Sequence, residues 1–325
     1  MTSGIDELES NTIETLLLCG NPSIEYFTRQ ELLEEDVGPV DTLWDLDSVQ
    51  KIFKRQQEEG FWRYPGKTRE THPNQDYNQL ETFRMFGELV EKYGLTRDHP
   101  QIKRAALYFF NCQTEEGDFR GIYGNQYATT YSPAIMELLI KAGYVSDPRI
   151  EKGFSWLLSQ RQDDGGWAIP IRTRGKRYRD FFNLPDILQT DPSRPFSHLV
   201  TGMVLRAFAA HPKYRKAKEA RKAGNLLVSR FFKPDQYPDR GDKKYWESVS
   251  FPFWFTNILT ALDSLSLLGF SRKDQAVKEG LDFLCQKQTS DGLFDLKLLK
   301  TRDKDLKYWI CLAVCRVFKR FYQLD

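Results

Sequence analysis

The sequence predicts an all-α protein, an α/α toroid of about six helical hairpins closed into a ring, and three observations carry that prediction. A short motif recurs four times in one register. Each copy follows a stretch with helical hydrophobic periodicity, and each is followed by a second, more apolar helical stretch.

The motif is glutamine, three residues, glycine, one residue, aromatic. It reads Gln56 to Gly60 and Trp62, Gln113 to Gly117 and Phe119, and Gln288 to Gly292 and Phe294. A further copy keeps Gly165 and Trp167 but has Arg161 at the glutamine position, flanked by Gln160 and Gln162. Acidic residues precede the glycine in all of them: Glu59, Glu116, Asp164 and Asp291. Upstream, Ile102, Ile150 and Val277 stand eleven residues before the glutamine position, and Ala105, Gly153 and Gly280 eight before. Ile52, Phe109, Leu157 and Leu284 stand four before. These offsets mark one face of an outer helix, with a small residue that lets a neighbouring helix approach. The glycine then ends it, because glycine tolerates the positive φ of a helix stop.

The inner helices are expected at Tyr77 to Tyr93, Thr130 to Ala142, Phe196 to Ala210 and Phe253 to Leu268. A degenerate copy of the motif falls at Leu226 to Pro238. Pro22 to Leu33 reads as a helix, with Thr12 to Cys19 as its partner. The expected organisation is an N-terminal helical cap over residues 1–40 and a toroid repeat domain over 41–325, with an insertion near 171–194.

Composition narrows the function classes. Over 325 residues, Lys plus Arg (47) nearly balances Asp plus Glu (45), so no polyanionic partner such as nucleic acid is expected. Aromatic residues make up 14% of a chain whose mean hydropathy is −0.56, so the rings must gather in a core or around a cavity. Met1 to Ser10 has no basic and apolar leader pattern, and no stretch reaches the roughly 18 to 20 apolar residues of a membrane span. Five cysteines without such a leader fit free thiols in a reducing compartment, and a cytoplasmic location is expected.

The repeated glutamine, glycine and tryptophan or phenylalanine after an outer helix resembles the QW repeat of squalene-hopene and oxidosqualene cyclases, shared by protein prenyltransferase β subunits. The resemblance covers roughly residues 45 to 323 and is specific for the fold more than for an activity. It implies that the repeat residues are scaffold and that the inner helices surround a central apolar cavity. That cavity would bind, and could convert, an isoprenoid-like or lipid-like substrate. The alternatives are a non-catalytic toroid that binds a ligand or a protein, and a prenyltransferase β-like subunit.

The chemistry-bearing motifs of those families are not matched. Alkene protonation needs an unusually strong acid made by coupled carboxyls, as in Asp-x-Asp-Asp. The nearest sequences here are Asp45-Leu46-Asp47, which reads first as a helix cap, and Asp303-Lys304-Asp305, which reads first as a solvated charge cluster. No Asp-Asp-x-x-Asp for magnesium occurs, since Asp163-Asp164 belongs to a repeat turn. Where prenyltransferases carry zinc ligands, this chain reads Ala128-Thr129-Thr130-Tyr131 and Asp305-Leu306-Lys307-Tyr308. No metal or other cofactor is expected.

The residues left at inner-helix starts are the site candidates. His198, Asp76 and Asp305 are the candidate catalytic groups; Tyr77, Tyr131, Ser197, Phe253, Trp254 and Trp309 are the candidate substrate contacts. His198 could equally tie a helix start, and Tyr131 and Trp254 could equally be core. Two basic runs stand out, Arg172 to Arg179 and Lys213 to Lys222. The first lies in the insertion, where it is either a solvated face or a contact for an anionic head group. Its neighbours Tyr178, Phe181 and Phe182 suggest a lid.

Overall fold

A computed structural model describes residues 8–9, 11–66, 72, 74–299 and 302–323. The described chain is mostly helical, with a single pair of two-residue parallel strands, Ser248–Val249 and Lys297–Leu298. It divides into two compact units, Val40–His211, and Met1–Pro39 together with Pro212–Asp325.

In the first unit, outer helices α3 (Asp47–Phe53), α5 (Pro100–Asn111) and α7 (Pro148–Ser159) alternate with inner helices α4 (Tyr77–Tyr93), α6 (Tyr131–Leu139) and α9 (His198–Ala210), and the short α8 (Pro170–Thr173) opens the insertion. In the second unit, α1 (Thr12–Leu17) and α2 (Pro22–Phe27) accompany α10 (Lys218–Val228), α11 (Ile258–Leu267), α12 (Gln275–Gln286) and α13 (Leu306–Gln323).

Local signals start and stop these helices. Pro22, Pro100 and Pro148 occupy first helical positions, where a missing N–H costs nothing, behind the capping side chains of Asn21, His99 and Asp147. Gly94, at φ +61°, ends α4 in the left-handed conformation.

The inner helices pack on one another: α4 on α6 and α6 on α9 in one unit, α11 on α13 and α13 on α2 in the other. Every residue of α6 is buried, as is all of α9 except Ala210, which accounts for their near-continuous apolar character. Each of several outer helices packs on the inner helix before it, α5 on α4, α7 on α6 and α12 on α11, while α1 packs on α13. The small residue of the repeat makes this approach possible. A Cβ on Gly153 would stand 2.7 Å from the Met136 sulfur of α6, and one on Gly280 would stand 3.0 Å from Ile258 of α11.

The repeat turn has one geometry. The glutamine side chain donates to the carbonyl of the repeat glycine and to the start of the next outer helix. Gln56 Nε2 bonds Gly60 O and Gln101 O at 2.9 Å each, and Gln113 Nε2 bonds Gly117 O and Arg149 O at 2.8 Å each. Gln288 Nε2 reaches Gly292 O at 3.5 Å and the Thr12 hydroxyl at 2.8 Å. Arg161 substitutes by donating two bonds of 3.1 Å to Gly165 O. The following aromatic is anchored from both sides: Trp62 Nε1 donates to Ile52 O and Trp167 Nε1 to Leu157 O, while the backbone N–H groups of Trp62, Phe119 and Trp167 donate to the hydroxyls of Thr82, Ser132 and Thr201 on the next inner helices.

One sequence expectation needs correction. The fourth inner helix begins at Ile258, not Phe253, because Asn257 and Thr260 form a reciprocal capping box that sets the start there. Phe251, Phe253 and Phe255 instead face separate partners along an irregular approach: Trp309, Phe251 and Tyr245 respectively. In the degenerate copy, α10 buries Ala220, Ala223 and Leu227, the same offsets as Ile102, Ala105 and Phe109, which puts Phe231 at the glutamine position. Trp246 packs on it at 5.3 Å and donates to Lys233 O, filling the place left by the decayed motif.

Candidate functional site

Asp76, Tyr77, Tyr131, Ser197 and His198 belong to the first unit, where they stand at the starts of three inner helices packed side by side. Asp76 caps α4: its Oδ1 accepts from Gln79 N at 2.8 Å, and its Oδ2 accepts from the Tyr108 hydroxyl at 3.2 Å. Burial, helped by the Asp76 charge, pushes the Tyr108 phenol well up and the Cys112 thiol up to about 12, so both stay protonated beside the carboxylate. Ser197 caps α9 by accepting from Val200 N, and its own N–H is pinned to Trp167 O at 2.8 Å. His198, the first residue of α9, is 4% exposed. Tyr77 remains partly exposed against Tyr64.

Tyr131 sits in a cluster of rings. Phe83 of α4 and Tyr123 both meet it edge-on with centroids 5.6 Å away, and Tyr123 continues to Phe181 at 4.6 Å. The Tyr123 hydroxyl shares a 3.0 Å hydrogen bond with Thr130, which satisfies that polar atom within the cluster. Sequence reading found Tyr131 by its place at a helix start. It missed Phe83 and Tyr123, whose only signal is being aromatic, and it placed Phe181 in a lid.

The insertion is fastened rather than free. Phe181 and Phe182 are buried, Asn74 donates to Phe182 O, and Asn125 and Gln126 donate to Leu184 O, Pro185 O and Asp186 O. Within the basic run, Arg172 bonds Lys176 O, and Arg174 bonds Gln189 O and Thr190 O while approaching Asp191 to 3.7 Å. Lys176 and Arg177 stay exposed. These bonds fold the insertion onto its own unit, using donors that an incoming anion would otherwise find.

Further down the same helices, the Glu137 carboxylate of α6 lies 2.6 Å from the Arg206 guanidinium of α9, both almost fully buried, and Lys141 joins Glu137 to Glu91. Burial alone would raise the Glu137 carboxyl, but the Arg206 and Lys141 charges outweigh it and hold it below the ordinary range.

Asp305, Phe253, Trp254 and Trp309 belong to the second unit. Asp305 accepts from Asn21 Nδ2 at 2.9 Å, and Asn21 Oδ1 in turn caps α2, so this carboxylate ties α13 to α2. Asp303 Oδ1 accepts from Asp305 N at 2.9 Å, which makes the Asp303-Lys304-Asp305 sequence a turn rather than a carboxyl pair. Trp309 is buried, stacked on Phe251 with centroids 5.3 Å apart and an interplanar angle of 9°. Trp254 is half-buried, with the Arg240 guanidinium 5.1 Å from its ring centre. A cavity of about 470 Å³ opens at the other end of α11, lined by Arg215, Lys216, Leu267, Leu268 and Arg320, away from all these candidates.

Among the described residues, no group of three or more His, Cys, Asp or Glu side chains is arranged to hold a metal, and no helix is long and apolar enough to cross a membrane.

A family profile described as the squalene-hopene cyclase C-terminal domain matches residues 75–181. A squalene-hopene cyclase from Schizosaccharomyces japonicus is 33% identical over 58 residues, covering 18% of this chain and only 9% of that protein's length. Among solved structures, a protein from Actinoplanes is similar at a TM-score of 0.46 and 12% identity, over 96% of this chain and 88% of that one. The type II terpene cyclase MstE from Scytonema, solved with geranylgeranyl dihydroxybenzoate, is similar at a TM-score of 0.38 and 11% identity, over 88% of this chain and 98% of that one. Through residues 75–181, the stretch that holds α4 to α7 and the ring cluster around Tyr131, this chain is similar to the C-terminal domain of squalene-hopene cyclases.

Proposed function

We propose that this chain binds an isoprenoid-like apolar molecule against the aromatic residues at its inner-helix starts, and that its carboxylates at those starts hold the scaffold. The observation that carries the reading is the cluster of Phe83, Tyr123, Tyr131 and Phe181, whose members all lie inside the segment similar to squalene-hopene cyclases. Aromatic faces combine a large apolar contact area with a negative quadrupole, the chemistry that suits a polyene. Proton transfer to an alkene would require carboxyls coupled to each other. Asp76 is engaged by the α4 cap and Tyr108, and Asp305 by Asn21, so neither has a carboxyl partner to strengthen it as an acid.

The test is native mass spectrometry of the purified chain for a co-purifying lipid, followed by fluorescence titration with farnesol and geranylgeraniol. Tyr131→Ala should weaken binding by about 1–3 kcal/mol, the scale of one buried aromatic contact. Wild-type protein that binds neither alcohol, or a Tyr131→Ala variant that binds them unchanged, overturns the reading.

A further inference from the structure

In the second unit, the loop that leads towards α11 holds one arginine unlike its neighbours. The guanidinium carbon of Arg240 lies 4.0 Å from the centre of the Phe255 ring, 5.1 Å from Trp254 and 5.4 Å from Tyr245. Among the described residues, no hydrogen bond or ion pair uses its N–H groups. Other arginines of this unit are spent on carboxylates: Arg29 on Glu25 and Glu35, Arg316 on Glu31, Arg320 on Asp263. Arg240 is only half-buried, so its edge remains within reach of solvent.

The backbone holds it there deliberately. Arg240 has φ +48°, a left-handed conformation that few residues with a side chain adopt and that persists only where surroundings impose it. The imposing contacts are on either side: Asp235 N donates to Gly241 O at 2.8 Å, and Asp242 caps the turn Lys243–Glu247 that carries Tyr245. A guanidinium stacked on rings keeps its faces dry and its plane fixed, leaving the N–H fork pre-organised for a planar or tetrahedral oxyanion. Trp254 and Phe255 lie just before Asn257, the N-cap of α11, whose first turn carries no acidic residue. The positive end of that helix dipole therefore adds to the same potential.

We propose that Arg240, on its platform of Tyr245, Trp254 and Phe255, receives the acidic head group (phosphate, diphosphate or carboxylate) of an amphiphilic ligand. Within this unit the half-buried Trp254 ring meets the start of the apolar tail, so the anion site stands independently of the Tyr131 cluster. The head group accepts two N–H donors from the guanidinium edge, and the Trp254 ring offers apolar surface beside it.

The experiment compares farnesol, farnesyl diphosphate, farnesoate and inorganic diphosphate by calorimetry on the full chain, with circular dichroism melts to check folding. At least one acidic farnesyl compound should bind wild type roughly tenfold or more tighter than farnesol, the scale of charge-assisted hydrogen bonds. Which of the two gains separates a phosphate from a carboxylate site. Arg240→Gln should abolish the advantage, and Arg240→Lys should restore only part of it because an ammonium lacks the fork. Trp254→Leu, which keeps the charge but removes a ring of the platform, should reduce it as well, and it serves if Arg240→Gln does not fold. Equal binding of farnesol and its acidic analogues to wild type, or an advantage that survives Arg240→Gln, overturns the anion site and leaves the apolar reading standing. Inorganic diphosphate bound in an Arg240-dependent way by a chain that ignores farnesol does the reverse.

Discussion

The side-chain amide of Gln288 donates a 2.8 Å hydrogen bond to the hydroxyl of Thr12, joining the last repeat turn to the first helix across 276 residues of sequence. Gln56 and Gln113 make the corresponding bond to the outer helix that comes next in the chain. For the Gln288 repeat the corresponding partner lies on α1, which packs on α13. Asn11 adds a bond to Ser290 O and Thr15 one to Asp291 O, and a Cβ on Gly292 would stand 2.8 Å from Thr12 Cα.

Gln113→Ala should destabilise the protein by about 1–3 kcal/mol, since it leaves Gly117 O and Arg149 O without their donor. Gly117→Ala should cost more, because the new Cβ would lie 2.5 Å from Lys152 O at a φ of +110°. Thermal denaturation monitored by circular dichroism measures both. A Gly117→Ala variant as stable as wild type would show that α7 shifts freely against the turn.

Thr201→Val removes the hydroxyl that accepts from Trp167 N while keeping the side-chain shape. A loss of about 1–3 kcal/mol is expected from the buried N–H left behind, read by urea unfolding. Thr82→Val, at the equivalent bond to Trp62 N, should behave alike. If both were neutral, the turns would have another way to satisfy those donors.

The buried Glu137–Arg206 pair predicts a double-mutant result. Arg206→Met alone should destabilise by about 3–5 kcal/mol by stranding a buried carboxylate, and adding Glu137→Leu should recover much of it. Because the folded carboxyl lies below its ordinary value, its contribution is present above about pH 4.3 and lost as pH falls through the lower folded value. Acid unfolding should therefore be less steep in the double variant. An unchanged acid limb would assign acid sensitivity to other carboxylates.

Cys112 should resist iodoacetamide at pH 8 in the native chain and react on unfolding, because burial first, and the Asp76 charge second, push its thiol up to about 12. A raised folded value gives stability that is full below the unfolded thiol value of about 8.5 and is lost as pH rises towards 12. Mass spectrometry of peptides after brief labelling measures the first effect. Rapid native labelling at Cys112 would show that the α5 end opens.

His198→Ala should lower the melting temperature, since the ring is buried at the first turn of α9, and should leave farnesol affinity within about twofold. Asp76→Asn should be milder than Asp76→Ala, because asparagine caps a helix as well as aspartate does. If His198→Ala instead kept full stability and abolished turnover of a bound isoprenoid, the residue would be catalytic and the scaffold reading of these helix starts would fall.

By itself the sequence determined the helical hairpin and its repeat, because both are local. A glycine that must turn left, a small residue eight positions before the glutamine and a proline behind a cap each act within a few residues, so Gly117, Gly153 and Pro148 announce their roles in the text of the chain. Tertiary structure decided everything that depends on which segments meet. The partner of the repeat glutamine is a carbonyl in one repeat and the Thr12 hydroxyl in another, and the hydroxyls that hold Trp62, Phe119 and Trp167 come at unequal distances along the chain. The same is true of the candidates. Asp76, Asp305 and Ser197 were identified by position as groups facing a cavity, yet a cap, an asparagine and a backbone N–H reach them first, since a side-chain oxygen at a helix start is nearest to the unpaired donors of that start. Arg240 carried no pattern to find: only the fold brings three rings around its guanidinium and withholds a carboxylate from it.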